Sequence, residues 1–277
     1  MAIGVLRSFG VGAAVARGAL NWILSDPKSS GLARTNFRGR AVTLAGGPAL
    51  AIGATAGAFA GAPGGRAKAA ALTAGAVAGA VGFYDDIAGN RPEQKSDKGF
   101  AGHLGALREG RVTSGLVKIA GVGAAGLVAS SLLGSRRSGA RGTADVLLGA
   151  GVIAGLANLV NLLDLRPGRA IKAGLVAGAP LTVGRGGGLA AGALGAAGAL
   201  LPADLGEDVM LGDSGANALG ALLGVALAAR TGTAGRFLAL TVLASLTAAS
   251  ERVSFTRVIA DTPWLRAADE FGRLPPA

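Results

Sequence analysis

Uninterrupted apolar segments are the feature that most limits how this chain can fold. Residues 69–84 carry no charged side chain, and stretches of the same character recur along the 277 residues. They are apolar on every side and reach the length of about 17–25 residues that a helix needs to cross a bilayer. Helices of a soluble domain would instead show one apolar stripe each. The sequence therefore predicts an all-α polytopic integral membrane protein built as a helical bundle.

The composition supports the same interpretation. Hydrophobic residues make up 51% of the chain and charged residues only 16%, against about 25% charged residues in a typical soluble domain. Each of the 49 glycines would cost about 1 kcal/mol inside a soluble helix. In a membrane, small residues instead let helix backbones approach closely. Glycines four residues apart are frequent and include Gly57/Gly61, Gly75/Gly79, Gly151/Gly155 and Gly220/Gly224.

The charge balance of the chain is strongly basic. A net charge of +11 would suggest nucleic-acid binding in a soluble protein. In a polytopic membrane protein it indicates basic loops that fix orientation and meet anionic lipid, so we expect no nucleic-acid partner. The chain has no cysteine, which excludes disulfides and thiolate metal ligands.

The apolar segments predict nine transmembrane helices. We expect one bundle over residues 1–249, followed by a polar cytoplasmic tail over residues 250–277. The nine helices are predicted near residues 3–24, 41–61, 68–84, 115–134, 143–162, 170–184, 187–204, 214–230 and 235–249.

The distribution of Lys and Arg predicts the orientation of this bundle. Most of them fall on one side, which the positive-inside rule makes cytoplasmic. The N-terminus is then outside and the C-terminus is cytoplasmic. The preference for Arg over Lys, together with abundant Ala and Gly, is typical of a GC-rich bacterial genome. We therefore expect a multi-pass protein of the bacterial plasma (inner) membrane.

Aspartates lie at the ends of three apolar segments. Asp85 and Asp86 close one, Asp164 ends the run NLVNLLD, and Asp213 opens another in MLGDSG. In the predicted topology all three places face the cytoplasm. Clustered carboxylates repel one another unless a proton or a divalent cation intervenes, and oxygen ligands favour Mg²⁺, or else Mn²⁺. The basic residues that could hold a pyrophosphate or a lipid phosphate beside them are Lys95, Lys98, Lys118, Arg166 and Arg169.

Three motifs in order resemble one enzyme family. They are GFYDDIAG at 82–89, NLVNLLD at 158–164 and MLGDSGANALGALLG at 210–224. They resemble the polyprenyl-phosphate N-acetylhexosamine-1-phosphate transferases, which include phospho-MurNAc-pentapeptide translocase and the GlcNAc-1-phosphate transferases. TNFRGRAVTLAGGPAL at 35–50 is similar to the first cytoplasmic loop of that family. The resemblance covers about residues 35–255.

The resemblance implies a reaction and a set of site residues. A polyprenyl phosphate would attack the β-phosphorus of a nucleotide sugar, with Mg²⁺ stabilising charge, and the lipid diphosphosugar would serve cell-envelope glycan (cell wall) synthesis. Asp85 and Asp86 would be the catalytic pair. Asp213 would be the metal ligand, with Asp86 supporting the metal. The implied substrate-binding residues are Asn158, Asn161, Asp164 and Lys118.

The chain departs from the family pattern at two places. The family continues NLxDGxDGL, whereas this chain has NLLDLRPGR at 161–169, so that Leu165 replaces a glycine and Pro167 replaces the second aspartate. The segment 251–263 lacks the His-rich motif of the family's last cytoplasmic loop, and no helix is predicted after it. These differences leave the donor nucleotide and sugar open.

Structural explanations compete with these functional ones at each position. Asp85 and Asp86 could begin a solvated loop, and Asp213 could cap the helix that follows it. Asn158 and Asn161 could form interhelical hydrogen bonds. Asp164 could pair with Arg166 or Arg169.

Two other functions also stay open. A catalytically inactive homologue could act as a membrane binding or scaffold protein, but such a protein would gain nothing from mutually repelling acids. A lipid or solute transporter would place acids near mid-span, whereas these lie at helix ends. We expect polyprenyl phosphate and a nucleotide sugar as partners, and a homodimer is an open alternative to the monomer.

Overall fold

The computed structural model describes residues 2–89, 99–135, 137–184 and 186–275. These residues form twelve α-helices, two 3₁₀ turns (27–32 and 179–182) and one two-stranded antiparallel hairpin of β1 (Ala33–Thr35) and β2 (Ala41–Thr43). The helices are α1 (Ala2–Ser25), α2 (Gly46–Gly61), α3 (Gly65–Ala88), α4 (Gly99–Arg108), α5 (Ser114–Leu133), α6 (Gly139–Leu163), α7 (Arg169–Gly178), α8 (Gly187–Leu205), α9 (Gly212–Arg230), α10 (Thr233–Ser250), α11 (Phe255–Asp261) and α12 (Pro263–Glu270).

The prediction of an all-α membrane bundle is confirmed. Within the described ranges, six helices are long and apolar enough to cross a bilayer, namely α1, α3, α5, α6, α8 and α10. Large apolar side chains on their outer surfaces are exposed, which places them against lipid rather than water. The chain is therefore a multi-pass membrane protein.

The predicted count of nine spans is wrong for the described residues, and three predicted segments account for the difference. The segment 41–61 begins with β2, so α2 has only 16 residues. The segment 170–184 forms a ten-residue helix that ends before Pro180, followed by a 3₁₀ turn. The segment 214–230 forms α9, which has 19 residues but carries Asp213 and Asn217 in its first two turns.

Helix α9 lies in the centre of the bundle. Nearly every residue from Ser214 to Ala226 is buried, and α3, α6, α2 and α8 pack around it. A helix enclosed by protein on all sides does not need the continuous apolar surface of a lipid-facing span. The polar side chains at its start are therefore held inside the bundle.

Contacts between helix ends divide the bundle into two ends. At one end of the bundle, the start of α9 contacts the last turn of α3, the first turns of α5 and the end of α6. We call this the acidic end. The hairpin and the loop 206–211 lie there too, because the Met210 amide donates to the Thr43 carbonyl and the Thr43 amide donates to the Asp208 carbonyl. At the opposite end, Arg66 of α3 donates to the Leu132 carbonyl and Arg236 of α10 pairs with Asp145 of α6.

Three structured segments lie where the sequence predicted loops or a tail. Strand β1 and α4 lie within predicted loops, whereas β2 takes the place of the start of the predicted helix 41–61. Helix α3 continues through both Asp85 and Asp86 to Ala88. The tail predicted over residues 250–277 forms α11 and α12. It docks onto the start of α7, where Arg169 forms a bidentate pair with Asp269 at 2.8 and 2.9 Å. Helix α12 is short and polar, so it carried no apolar signal in the sequence.

Candidate active site

Asp86 holds the start of α9. Its two carboxylate oxygens accept hydrogen bonds from the backbone amides of Asp213 at 2.9 Å and Ser214 at 3.0 Å. The first amides of a helix have no partner within the helix, and they carry its positive dipole end. The Asp86 side chain therefore supplies acceptors to two amides that α9 itself leaves without partners. Asp86 is fixed relative to Asp213 by these two bonds.

Glycines make this close approach of α3 and α9 feasible. Gly82 lies directly against the Asp213 carbonyl, and a Cβ there would meet the Ser214 nitrogen at 2.7 Å. Gly212 has φ +58°, and a Cβ on it would lie 2.6 Å from the Asp86 Oδ1. Only glycine combines that backbone conformation with that contact. The glycines of GFYDD and LGDSG thus serve the geometry of the acids.

Lys118 of α5 joins two further carboxylates. Its Nζ lies 2.7 Å from the Asp85 Oδ2 and also contacts the Asp213 Oδ2. The Asp85 and Asp213 carboxyl groups are close enough to each other to interact directly. All three side chains are largely shielded from solvent, so the single ammonium offsets a repulsion that water would not screen. The carboxylates of Asp85 and Asp213 therefore converge on one position, which the Lys118 ammonium occupies.

Asn161 completes this group from α6. Its Nδ2 donates to the Asp213 Oδ1 at 2.6 Å, so Asp213 is held from two sides. Asn217 of α9 donates to the Asp213 main-chain carbonyl at 2.7 Å. The carboxylate of Asp213 is oriented by side chains from α5 and α6, which is the kind of pre-orientation that a ligand site requires.

Asn158 lies outside this group. Its Nδ2 donates to the Thr247 Oγ1 of α10 at 3.1 Å, three residues before Asn161 on α6. The structure therefore gives Asn158 the interhelical hydrogen bond that was the competing explanation. Lys118 and Asn161 are brought to the acids, and Asn158 is directed toward α10.

Asp164 ends α6 beside the same site. Burial raises the pKa of its carboxyl well above the usual range, and the charges of Asp204, Asp213 and Asp86 raise it further, although a hydrogen bond from the Gly212 amide acts in the opposite direction. No ion pair with Arg166 or Arg169 forms among the described residues, because Arg169 pairs with Asp269. The surroundings of Asp164 therefore favour the protonated form of its carboxyl more than water does.

A polar pocket of about 330 Å³ adjoins Asp164. Asp204 and Pro167 line it on one side, and Phe37 of the hairpin lines it on the other. The Arg166 guanidinium lies 4.3 Å from the Phe37 ring centroid, within cation–π distance. Sequence reasoning missed Asp204, which accepts the Gly168 amide at 2.7 Å, although it lies next to the last residue of α8, so its place at a helix end could have indicated it.

The basic residues expected to hold a phosphate separate into different environments. Arg169 is engaged by Asp269, whereas Arg166 stacks on Phe37. Lys95 and Lys98 lie outside the described residues. Sequence analysis missed Arg34 of β1, whose Nη2 donates to the Asp86 carbonyl at 3.3 Å. Its position in a basic loop was the only signal that could have indicated it.

Glu207 was also missed, and it fixes the hairpin to the loop before α9. It is buried with φ +57°, accepts from Asn36 Nδ2 at 2.6 Å, and lies 3.3 Å from Arg38. Glu207 has a strained backbone conformation, and the Arg38 guanidinium offsets its charge. Its contacts hold the hairpin over the acidic end. The hairpin is therefore part of the site rather than a passive connection.

A divalent cation fits the oxygen chemistry of this end. Mg²⁺ commonly takes one or two carboxylates and completes its coordination with water and substrate phosphate. Asp85 and Asp213 present such a pair around the Lys118 ammonium. Asp86, by contrast, already directs both oxygens to backbone amides. Within the described residues, no group of three or more His, Cys, Asp or Glu side chains is arranged to hold a metal without help from a substrate.

The acidic end brings together charged groups from α3, α5, α6 and α9, with the hairpin over them. It can bind a cation, orient an anion and transfer a proton. Comparison with known proteins adds no name: no protein-family model matches the chain, and no curated protein matches it either.

Proposed function

We propose that this protein transfers a sugar-1-phosphate from a nucleotide sugar to a polyprenyl phosphate at the cytoplasmic face of a bacterial plasma membrane. The observation that carries the proposal is that Asp85 and Asp213 converge on the Lys118 ammonium, at the ends of helices in a membrane bundle. Both substrates are phosphate anions, and one of them is a lipid, so the reaction needs a charged site at the membrane boundary. The motif resemblance points to the same chemistry.

The chain's residues divide the work according to their contacts. Asp213 and Asp85 are the proposed metal ligands, because they share one position. Asp86 supports them by fixing the start of α9, which replaces the direct metal contact that the sequence suggested for it. Bound Mg²⁺ would neutralise charge on the diphosphate of the donor. Lys118, displaced from between the carboxylates, would remain within reach of the same phosphates.

The transfer forms one phosphorus–oxygen bond and breaks another. An oxygen of the polyprenyl phosphate attacks the β-phosphorus of the donor, and the bond from that phosphorus to the bridging oxygen breaks. The products are a lipid diphosphosugar and a nucleoside monophosphate. If the lipid phosphate enters singly protonated, Asp85 is placed to accept that proton, since its carboxylate lies at the acidic end beside Lys118, Asp213 and Ser114.

The pocket beside Asp164 is the proposed place for the rest of the nucleotide sugar. It is lined by Asp164, Asp204 and Phe37, so it offers hydrogen-bonding groups and one aromatic ring. Pro167 lines it where the family has an aspartate, so recognition of the base must rest on other residues. The sugar and the nucleotide are to be identified by assay.

The test is a transfer assay on the purified protein in lipid nanodiscs. Polyprenyl phosphate and Mg²⁺ are supplied with a panel of nucleotide sugars, and the release of nucleoside monophosphate is measured. We expect release with at least one donor, and its loss in Asp213→Asn and Asp85→Asn. Asp208→Asn is the matched control, because Asp208 is an exposed acid at the same end. Absence of release across the panel, with no Mg²⁺ binding, would refute the proposal.

A further inference from the structure

One side of the short helix α12 is apolar and exposed. This apolar stripe consists of Trp264, Ala267, Ala268 and Phe271. They are spaced by three, four and seven residues from Trp264, which places them on one face of a helix. Trp264 is 70% exposed and Phe271 is 79% exposed. Two large aromatic side chains on one exposed face mark an interaction surface.

The other two sides of α12 have different surroundings. Leu265 is partly buried, and Asp269, four residues later, pairs with the bundle. Arg266 and Glu270, also four residues apart, are exposed and charged. At about 100° per residue, these two pairs and the apolar stripe point in three directions. Helix α12 therefore turns one side to the protein, one to water, and keeps a third that is apolar.

Helix α12 docks on the lipid-facing side of α7. Arg169, Lys172 and Val176 follow one face of α7, since they are three and four residues apart. Val176 is 77% exposed in a bundle surrounded by lipid, whereas Ile171, on the other side of α7, is buried. Arg169 and Lys172 both bind α12. Helix α12 therefore lies at the outer edge of the bundle, against the first turn of α7.

The connection to α10 keeps the segment close to the bilayer. Helix α10 is one of the membrane helices, and it ends at Ser250. Helix α11 begins at Phe255, so its start lies within about 18 Å of the end of α10, the reach of five residue steps. Val253 and Val258 in this stretch are exposed as well. The exposed apolar surface thus continues from a membrane helix to α12.

The chain beyond α12 fixes the direction of the stripe. Arg273 donates from its Nε to the Pro167 carbonyl at 2.8 Å. Arg38 of the hairpin donates to the carbonyls of Leu274 at 3.1 Å and Pro275 at 2.8 Å. Helix α12 is therefore held at its side and beyond its end, and the apolar stripe stays turned away from the bundle.

The exposed charges of the segment balance one another. They are Arg252, Arg257 and Arg266 on one hand and Glu251, Asp261 and Glu270 on the other. A balanced set gives little attraction to anionic lipid head groups, which draw in polybasic segments. The apolar stripe must then supply the affinity for a membrane surface, and tryptophan is the side chain most typical of the head-group level.

We propose that α12 lies along the bilayer surface at the acidic end, with Trp264 and Phe271 inserted at the level of the lipid head groups. Its partner is the adjoining lipid leaflet, whatever the charge of its head groups, and the stripe acts as the apolar face of an interfacial helix. Because the chain continues from α12 to Pro167 and to the hairpin, this anchor also restrains both sides of the pocket beside Asp164. The anchor does not depend on the proposed function.

Fluorescence quenching of the full-length protein in nanodiscs tests this placement. Trp22→Phe leaves Trp264 as the sole tryptophan. Phosphatidylcholine brominated close to its head group should remove most of the emission, lipid brominated at the chain ends should remove less, and aqueous acrylamide should remove little. The same pattern is expected with and without phosphatidylglycerol.

The other outcomes of this measurement would overturn the proposal. Strong quenching by acrylamide would show that the apolar stripe faces water. Protection from both quenchers would show that a protein surface, such as a second copy of the chain, covers it. Quenching by bromolipid only when phosphatidylglycerol is present would show that charge, and not the stripe, binds the membrane.

A tryptophan on the water-facing side of the same helix is the matched control. Trp22→Phe, Trp264→Phe and Arg266→Trp together place the sole tryptophan at an exposed position two residues away. Acrylamide should quench its emission, and bromolipid should not. Equal quenching by bromolipid at the two positions would contradict the orientation on which the proposal depends.

Removing the aromatic side chains should loosen α12. The protection factors of its amides in hydrogen exchange should be about tenfold lower in Trp264→Gln with Phe271→Gln, because the lipid no longer buries two aromatic rings. Arg266→Gln with Glu270→Gln changes the water-facing side and should leave them unchanged. Equal protection in the two double variants would refute the anchor. None of these measurements uses a nucleotide sugar or a polyprenyl phosphate, so they stand or fall separately from the transfer assay.

Discussion

The docking of the C-terminal segment is centred on one carboxylate, and removing its charge should weaken that docking. Asp269 of α12 accepts from Arg169 at 2.8 and 2.9 Å and from Arg273 at 2.6 Å. The side chains of Arg169 and Asp269 are only 6% and 10% exposed. Lys172 adds bonds to the carbonyls of Ala268 and Phe271, but these hold only if α12 is in place.

The magnitude follows from the burial of the pair. Breaking a buried ion pair by removing one partner costs about 3–5 kcal/mol, because the other charge is left uncompensated. In Asp269→Asn the oxygen that remains can still accept one bond from Arg169, and Arg169 keeps its bond to Thr256 at 2.9 Å. We therefore expect docking to weaken by about 2–3 kcal/mol, or roughly 30- to 150-fold in the opening equilibrium.

Hydrogen exchange of the full-length protein measures this opening locally. The protection factors of the α12 amides should be about 30- to 150-fold lower in Asp269→Asn than in the parent protein. Amides of α9, which lies in the centre of the bundle, should keep theirs. Glu270→Gln is the control, because Glu270 is the exposed neighbour of Asp269. Equal protection in the two variants would show that the ion pair does not hold the segment.

The same pair predicts a pH dependence. Burial alone would raise the pKa of Asp269, but hydrogen bonds from Arg169 and the charges of Arg169 and Arg273 hold it below its usual range. The docked state thus binds fewer protons than the free segment near pH 4, so docking is fully stable above the ordinary Asp pKa of about 3.9. It should weaken as the pH falls below that value. A parent protein whose α12 amides are equally protected at pH 3 and pH 6 would contradict the assignment.

Three further outcomes follow from the contacts. Gly212→Ala should lower thermal stability by about 1–3 kcal/mol and reduce transfer, since it strains a positive φ and pushes against Asp86; a circular-dichroism melt equal to the parent would contradict this. Arg236→Met should cost about 3–5 kcal/mol by leaving Asp145 buried and unpaired, and adding Asp145→Leu should recover much of the loss in the same melt. Lys118→Gln should abolish transfer yet increase the Mg²⁺-induced rise in Tm, because the ammonium no longer competes with the metal; an unchanged rise would refute a metal between the flanking carboxylates.

The sequence predicted the lipid-facing helices well, and the buried ones less well. Segments such as 143–162 are apolar on all sides, so both their existence and their approximate ends could be predicted. Helix α9 was predicted as one of the transmembrane helices, near residues 214–230, but its position in the centre depends on which helices pack around it. Hydropathy measures composition and carries no information about neighbours. The hairpin and α12 were missed because short polar elements are stabilised by tertiary contacts rather than by periodicity.

The site was predictable where residues lie at helix ends. Asp85, Asp86, Asp213 and Asn161 come together because each ends or begins a helix at the same end of the bundle. Asn158 precedes Asn161 by only three residues, and a pattern cannot tell which of the two faces the acids. Their directions are set by the rotation of α6, which the contact with Thr247 fixes.

The glycines connect the composition of the chain to its site. Gly47 of α2 lies against the Leu211 carbonyl, and Gly82 of α3 lies against the Asp213 carbonyl, so both helices touch the start of α9 without a side chain between them. Each of these two glycines weakens its own helix, and the close approach of the helices offsets that cost. Here closeness lets Asp86 bond the first amides of α9 and thereby sets the position of Asp213. The position of Asp213 is then set by contacts to the backbone of α9 that do not themselves involve a bound cation or phosphate.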